Sequence, residues 1–312
     1  MTTRLDRYAD RSPGWDTPVM IESHINGVRV REMNPHLPMT HEEIAEDAIR
    51  CLDAGACAVH AHNTNYDLKG EEAFQDYKKS WDTIFAKHPE AVLYGTTCTV
   101  GLLEEHEHGL EHVEIIHQRY GSKLGVVDAG ILNLALGTDE SGDLYGVAHG
   151  YNLRRLNEQV HMLRRNDMGV IFSVIEPGFL RLALHYERRG ILPKGSSLDF
   201  YLMGDYGMVS MEPANTAGVP ATLESLYFYL DMMEGSRLPW FLSVWGAGSA
   251  AEIPLIRRAI ELGGHIKVGL ELHYDPVDKP TNLALLQQAQ QIAHEVGRPL
   301  ATPEEAKRIL AI

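Results

Sequence analysis

The sequence predicts an α/β fold of the (β/α)8 class, a TIM barrel. Short apolar runs of strand length alternate with stretches of helical periodicity until eight strand–helix units are complete. No shift of composition separates these units, so we expect one domain over residues 1–312, with a polar N-terminal arm at residues 1–17. The competing fold, a doubly wound open sheet, needs a glycine-rich phosphate turn after its first strand, and Asn26-Gly27-Val28-Arg29 lacks that pattern.

Each element of the barrel has its own signal. The strands are predicted from apolar runs at Pro18–Ile25, Cys57–His62, Ala91–Gly95, Leu124–Val127, Gly169–Val174, Leu198–Met203, Trp240–Val244 and His265–Leu270. Thr40-His41-Glu42-Glu43 and Thr302-Pro303-Glu304-Glu305 are typical helix starts. The helices are predicted at Ile44–Leu52, Glu71–Ala86, Asn152–Asn166, Pro177–Gly190, Pro220–Met233, Ser249–Leu262, Pro280–Glu295 and Pro303–Leu310. A glycine-rich loop at residues 135–150 and a long loop at 204–219 follow strands, which predicts that both lie on the catalytic face.

The net charge indicates which partners to exclude, and the cysteine content indicates the redox environment. Lysine and arginine total 28 against 43 aspartate and glutamate residues, and the formal net charge of −15 argues against nucleic acid or an anionic membrane surface. No apolar run approaches the ~18 residues of a membrane span, and the N-terminus does not resemble a signal peptide. Three cysteines without a CxxC pattern predict a reducing, cytoplasmic location.

Two histidines at the end of the second predicted strand indicate a metal site. His60 and His62 are spaced i, i+2, so both imidazoles point to one face of the strand. Glu271 ends the eighth strand, which returns beside the first in a closed barrel and brings a third ligand within reach. The residues alone also allow explanations without a metal. The two histidines could be satisfied by hydrogen bonds, and Glu271 could be a carboxylate at the barrel rim that pairs with Lys267.

Several longer motifs then resemble the β-keto acid cleavage enzyme family. They span nearly the whole chain in order: Leu37-Pro38-Met39-Thr40-His41-Glu42-Glu43, Ala54-Gly55-Ala56 before His60-Ala61-His62, Asp128-Ala129-Gly130-Ile131-Leu132-Asn133, Gly263-Gly264-His265-Ile266-Lys267-Val268-Gly269-Leu270-Glu271 and Gly297-Arg298-Pro299-Leu300-Ala301-Thr302-Pro303. The resemblance implies a zinc-dependent barrel with one Zn²⁺ per chain on His60, His62 and Glu271. It implies that a β-keto acid and acetyl-CoA give acetoacetate and a new acyl-CoA. It also implies a homo-oligomer, with a tetramer favoured.

The same resemblance, together with strand parity, supplies the other candidate residues. Thr96 and Thr97 keep the hydroxyls that the family carries after its third strand, and Asp128 stands where the family has an asparagine. The candidate catalytic residues are Lys267, Thr96, Asp128 and Glu22, and the candidate substrate-binding residues are Thr97, Asn26, Arg29 and Ser173.

The residues expected around the metal depart from the family. The family's Arg-x-Gly-x-Glu-Asp reads with Lys267 in place of arginine and Leu272 in place of the aspartate that acts as general base. Arg29 replaces a glutamate, and Ser173 replaces another, with Glu176 nearby. Because leucine cannot accept a proton, three alternatives remain. Another residue acts as the general base, the reaction or the substrate differs from that of the family, or the protein binds metal without catalysis.

Strand parity suggests substitute bases. Glu22 and His24 share the face of strand 1 that we expect to point inward, His273 is i+2 from Glu271, and Asp128 ends a strand. For each of these, a place in a buried polar network is an equal alternative. The alternatives to the family's reaction are a zinc hydrolase or lyase on the same barrel, or a metal-binding relative without catalysis.

Overall fold

A computed structural model of the protein describes residues 15–97, 110–207 and 210–312. Its strands are β1 (Ile21–His24), β2 (Ala58–His60), β3 (Leu93–Tyr94), β4 (Leu124–Asp128), β5 (Ile131–Thr138), β6 (Leu144–Gly150), β7 (Gly169–Val174), β8 (Ser197–Met203), β9 (Val219–Pro220), β10 (Trp240–Trp245) and β11 (His265–Val268). Its helices are α1 (His41–Asp53), α2 (Gly70–Lys87), α3 (Glu111–Tyr120), α4 (Leu153–Arg165), α5 (Pro177–Arg188), α6 (Leu223–Met232), α7 (Ser249–Glu261), α8 (Asn282–Val296) and α9 (Pro303–Leu310).

The main sheet confirms the predicted barrel. Its strands lie in the order β3-β2-β1-β11-β10-β8-β7-β4, all parallel, and the short β9 pairs with β8. Within the described residues no ladder joins β3 to β4, but Ser122 Oγ donates to the Leu93 carbonyl oxygen at 2.7 Å and bridges this seam. The wall is therefore a nearly closed barrel of eight parallel strands, and its carboxyl ends form one mouth.

A β-hairpin replaces most of the predicted glycine-rich loop at residues 135–150. Strands β5 and β6 pair antiparallel, with Ile131 opposite Gly150 and a register shift between Ala135 and Gly137. Leu132 and Leu134 are buried whereas Ile131 is exposed, so the segment follows the two-residue period of a strand. The loop prediction was wrong here because the glycines in β5 and β6 were read as signals of a loop.

Smaller differences also have local causes. The helix predicted from Pro220 begins at Leu223, since Pro220 belongs to β9 and the Thr222 side chain caps the helix. Helix α3 follows β3 and was not assigned from the sequence. Both predicted capping boxes, at Thr40 and Thr302, are present.

The buried Arg298 links the segment before β1 to the residues that precede β11. The Arg298 guanidinium donates to the carbonyl oxygens of Gly264 at 2.6 Å, Thr17 at 3.0 Å and Ile260 at 3.1 Å. Burial lowers the pKa of Arg298 to about 10, so the group is still charged at neutral pH.

Some predictions concern residues that the structure does not describe. Residues 1–14 of the predicted arm and Cys98 lie outside the described residues, and the one-domain assignment stays a prediction. In the described ranges, no helix has both the length and the apolar character needed to cross a membrane.

Candidate metal centre and active site

Glu271 lies at the centre of a buried cluster of histidines at the barrel mouth. It follows β11 in a turn, and its Oε2 lies 3.3 Å from His24 Nδ1 and 3.5 Å from His60 Nε2. Its other oxygen, Oε1, lies 3.1 Å from His62 Nε2. His60 and His24 face each other across paired strands β2 and β1, which explains how residues far apart in sequence converge. The three predicted ligands are thus brought together, and His24 joins them.

The donor set fits a divalent cation. Atoms of His24, His60 and Glu271 lie within 4.8 Å of one another, and all three residues are buried. His24 Nδ1, His62 Nδ1 and Glu271 Oε2 have no hydrogen-bond partner within the part of the chain that the structure describes. Buried polar atoms without partners are costly, and imidazole nitrogens with a carboxylate are typical ligands of zinc. The residues present therefore form a group that could hold a divalent cation.

Hydrogen bonds to Tyr94 determine which ring nitrogen of His60 and of His24 carries the hydrogen. The backbone carbonyl of Tyr94 accepts only from a protonated His60 Nδ1, at 3.1 Å, which leaves the lone pair of His60 on Nε2. The Tyr94 hydroxyl donates to Glu22 Oε2 at 2.5 Å, so its oxygen accepts from His24 Nε2 at 3.2 Å. The lone pair of His24 is then on Nδ1. Both lone pairs face the same oxygen of Glu271.

The electrostatics agree with this arrangement. Burial by itself would raise the pKa of Glu271, but His60 and His62 hold that pKa well below its ordinary value. Burial lowers the pKa of His60 well below its ordinary value, against the attraction of Glu271. The imidazoles lower the pKa of Glu271 only while they carry a proton, whereas metal binding requires a charged carboxylate and neutral imidazoles, so a bound cation would replace that proton.

The turn that carries Asn26, Gly27 and Arg29 holds the cluster in position. Asn26 Oδ1 accepts from the His62 backbone N–H at 2.8 Å, and its Nδ2 donates to the His62 carbonyl at 3.2 Å. The buried Arg29 donates to the backbone carbonyls of Glu271 at 2.7 Å and Leu272 at 3.0 Å. Burial lowers the pKa of Arg29 to about 10. Neither Asn26 nor Arg29 is among the residues that line the cleft described below.

Gly27 is needed because Glu271 passes so close to it. Its φ of +62° is in the left-handed region, and a Cβ atom there would lie 2.5 Å from Glu271 Cγ. Only glycine allows the carboxylate to keep its place beside the histidines.

Lys267 and Glu22 belong to a network of one cation and two carboxylates beneath the cluster. Lys267 Nζ lies 3.0 Å from Asp199 Oδ2 and 3.6 Å from Glu22 Oε2, and Ser243 Oγ donates to Asp199 Oδ1 at 2.7 Å. Burial by itself would lower the pKa of Lys267, but Asp199 and Glu22 raise it above its ordinary value. The predicted inward face of strand 1 is therefore confirmed, and the lysine charge is shared between two carboxylates. Asp199 was not singled out from the sequence.

The cluster opens into a cleft of about 770 Å³, including its mouth. The histidines, Glu271 and Lys267 line one part of it. The predicted residues Thr96, Thr97, Asp128 and Ser173 line another. Apolar and aromatic side chains complete the wall, namely Val28, Tyr66, Val126, Leu134, Ile171, Ile175, Tyr201 and Trp245. A small carboxylic acid and part of a larger co-substrate fit a space of this size.

His273 points away from the cluster, contrary to the strand-parity prediction, and Leu272 does not face the cluster either. The strand ends at Val268 and the following turn rotates the chain, so His273 Nδ1 lies 2.9 Å from both carboxylate oxygens of Glu252. Leu272 is buried beside the same Glu252 in a separate small cavity and does not line the cleft. A proton acceptor at residue 272 would therefore not face the metal cluster.

A second polar pair lies in the cleft wall. His149 Nε2 on β6 lies 3.1 Å from Asp128 Oδ2 at the end of β4. His149 was missed because its segment was predicted to be a loop, and no spacing in the sequence links it to Asp128.

Comparison with known proteins identifies the family of the chain. The sequence model of the beta-keto acid cleavage enzyme family matches residues 18–312.

The chain belongs to the β-keto acid cleavage enzyme family.

Two curated relatives show the range of chemistry in that family. The chain is 26% identical over 299 residues to a 3-keto-5-aminohexanoate cleavage enzyme of Acetoanaerobium sticklandii, covering 94% of this chain and 98% of the relative. It is 25% identical over 306 residues to a 3-oxoadipate:acetyl-CoA acetyltransferase of Cupriavidus necator, covering 95% of each. Among solved structures, the complex of ObcA with oxaloacetate is similar in fold, with a TM-score of 0.62, 16% identity and coverage of 89% of this chain and 67% of that chain.

The position of Leu272 predicts the effect of restoring the family's aspartate. Leu272→Asp places a carboxylate next to buried Glu252, so we expect the free energy of unfolding to fall by at least about 2 kcal/mol. Leu272→Met, which keeps the volume, is expected to cost less than about 1.5 kcal/mol. Urea unfolding of both variants measures the difference. Equal stability of the two would contradict the placement of this side chain.

Proposed function

We propose that the protein is a zinc-dependent acyltransferase that acts on a β-keto acid and acetyl-CoA. The reaction is R-CO-CH₂-COO⁻ plus CH₃-CO-SCoA giving CH₃-CO-CH₂-COO⁻ plus R-CO-SCoA, so the acyl group R-CO moves to coenzyme A. The observation that carries this proposal is the buried His60–His62–Glu271 cluster at the barrel mouth of a member of this enzyme family. The acetyl-CoA named for the Cupriavidus relative supports the choice of co-substrate.

The proposed cofactor is one Zn²⁺ per chain, held by His60, His62 and Glu271. His24 is a further candidate ligand, since ligand atoms of His24, His60 and Glu271 lie within 4.8 Å of one another, whereas His62 Nε2 lies 3.1 Å from the other oxygen of Glu271. A bound zinc ion supplies a Lewis acid that stabilises negative charge on the oxygens of the keto acid. Asn26 and Arg29 are proposed to keep His62 and Glu271 in place for this ion, since their hydrogen bonds are made to the backbone of that part of the site.

Residues around the cleft have separate proposed roles. Thr96, Thr97 and Ser173 offer hydroxyl groups to the carboxylate and keto oxygens of the substrate. Lys267 keeps a positive charge at the cleft floor, and Glu22 and Asp199 balance that charge when no substrate is bound. Asp128, which lines the cleft beside His149, is the proposed group for proton transfer. The feature that favoured a relative without catalysis, Leu272, does not border the cleft, so it no longer argues against turnover.

Three further properties are the substrate group R, the cellular location and the oligomeric state. The identity of the group R stays open to experiment. The cytoplasmic location stays a prediction, as does the homo-oligomer with a tetramer favoured.

The reaction is tested by incubating zinc-loaded protein with acetyl-CoA and a panel of β-keto acids. We expect acetoacetate and a new acyl-CoA from at least one member of the panel, detected by mass spectrometry, and none without acetyl-CoA. Hydrolysis in the absence of coenzyme A would indicate a zinc hydrolase instead. No turnover at one zinc per chain would indicate a relative that binds metal without catalysis.

The metal assignment is tested by elemental analysis after dialysis against Zn²⁺. Wild-type protein is expected to hold one zinc per chain, and His60→Ala to lose it while keeping its far-ultraviolet circular dichroism. His161→Ala, which changes an exposed histidine on α4, is the matched control and should retain zinc. Full zinc in His60→Ala would contradict the assignment.

Gly27 gives a sharper test of how the carboxylate is placed. Gly27→Ala introduces a Cβ atom 2.5 Å from Glu271 Cγ, so we expect zinc affinity to fall by about 10- to 100-fold in a chelator competition. Gly121→Ala is the control, because Gly121 has a similar φ of +72° but nothing within 4 Å of the added atom. Both variants carry the same backbone strain, and only one disturbs the site. Equal zinc affinity in the two would mean that Glu271 is not a ligand.

A further inference from the structure

His24 lies in the metal cluster but comes from a strand that carries none of the three predicted ligands. It ends β1, and the strand pairing places it directly opposite His60 at the end of β2. The centroids of the two imidazole rings are 4.7 Å apart, and both side chains are buried. The pairing of β1 with β2 therefore brings a third imidazole to the carboxylate of Glu271.

The spacing around Glu271 Oε2 is that of atoms that share a metal ion. This oxygen lies 3.3 Å from His24 Nδ1 and 3.5 Å from His60 Nε2. Zinc bonds to nitrogen and oxygen are about 2.0–2.1 Å long, so neighbouring ligand atoms of a tetrahedral site are about 3.4 Å apart. Among the described residues, neither His24 Nδ1 nor Glu271 Oε2 makes a hydrogen bond. The three atoms thus lie close together without being hydrogen-bonded to one another.

The Tyr94 hydroxyl gives His24 the tautomer that a ligand needs. It donates to Glu22 Oε2 at 2.5 Å and accepts from His24 Nε2 at 3.2 Å. Lys267 Nζ lies 3.6 Å from the same oxygen of Glu22, so a buried cation lies next to the accepting carboxylate. With its hydrogen on Nε2, His24 presents the lone pair of Nδ1 to the cluster.

A salt bridge without metal is the alternative explanation of His24. It requires an imidazolium ion, with hydrogens on both ring nitrogens, that donates from Nδ1 to Glu271. Charge-assisted hydrogen bonds between such groups are short, about 2.7–2.9 Å. The observed separation of 3.3 Å is longer, and the two atoms do not meet the geometry of a hydrogen bond. These observations favour a ligand over an ion pair.

We propose that His24 binds the zinc ion of this chain through Nδ1, and that Tyr94 is the residue that positions it. This inference rests on the proposed function, in which zinc is the cofactor. His62 Nε2 approaches the other oxygen of Glu271, at 3.1 Å. The full ligand set is then three imidazoles and one carboxylate.

This ligand set limits how the substrate can bind. Zinc in enzymes usually has four ligands and sometimes five. Four protein ligands leave room for one oxygen of the keto acid and not for two. The remaining oxygens of the keto acid are left to the hydroxyl groups that line the cleft, those of Thr96, Thr97 and Ser173.

The ligand set is tested by X-ray absorption spectroscopy of the zinc-loaded protein. We expect three imidazoles per zinc in the wild type and no sulfur neighbour. His24→Cys places a thiolate near the position of Nδ1, and should show one sulfur at about 2.3 Å from zinc in place of one imidazole. His161→Cys, which adds a cysteine at an exposed position of α4, is the matched control and should show no sulfur.

The positioning role of Tyr94 is tested in a double-mutant cycle. Tyr94→Phe removes the acceptor of His24 Nε2–H but keeps the backbone carbonyl that holds His60. We expect it to lower zinc affinity about 10-fold in a chelator competition when residue 24 is histidine. In the His24→Cys background the same change should lower affinity less than about threefold, since cysteine makes no such hydrogen bond. Equal losses in the two backgrounds would contradict the positioning role.

The outcomes also separate this inference from the function on which it rests. One zinc per chain in His24→Cys without a sulfur neighbour overturns the role of His24 and leaves the proposed reaction standing. Should His24→Cys hold no zinc, the wild-type count decides, and two imidazoles instead of three overturn the role. A wild-type protein that holds no zinc overturns the proposed cofactor, and the role of His24 with it.

Discussion

A single buried carboxylate, surrounded by imidazoles, organises this barrel mouth. Nitrogen atoms of His24 and His60, on two neighbouring strands, lie 3.3 and 3.5 Å from one oxygen of the buried Glu271. Tyr94 sets the hydrogens of His24 and His60 so that their lone pairs point at one oxygen of that carboxylate. Lone pairs and a negative charge brought together in a dry site repel each other unless a cation lies between them. The rest of the site is arranged around that requirement.

In the barrel interior below the cluster, a buried positive charge also lies next to buried negative charges. Lys267 carries a positive charge where water does not reach, and the carboxylates of Asp199 and Glu22 balance it. Glu22 in turn binds Tyr94, which holds His24, so the network runs without a break from the barrel floor to the metal cluster. Buried polar networks of this kind are stable only when each member has its partner. Loss of one member would therefore leave its buried neighbours without partners.

The opposite wall of the cleft has a different construction. It is lined mainly by apolar side chains and threonine hydroxyls, with Asp128 and His149 as the polar pair. Strand β6, which supplies His149, is an addition over the mouth and not part of the barrel wall. The metal-site candidates and the polar pair of the opposite wall thus lie on different elements of the structure.

The sequence by itself determined the barrel, the alternation of its strands and helices and the helix starts, and it made His60, His62 and Glu271 candidates for one site. These features depend on local periodicity, and on a fold whose strand order brings the eighth strand beside the first. Only the tertiary structure decided where Leu272 and His273 point, because a turn after Val268 breaks the two-residue alternation. It also decided the partners of Tyr94, Asp199 and His149, whose contacts lie on strands distant in sequence. Local pattern specifies which face of a strand a side chain occupies, but its partner is set by how the closed barrel brings distant strands together.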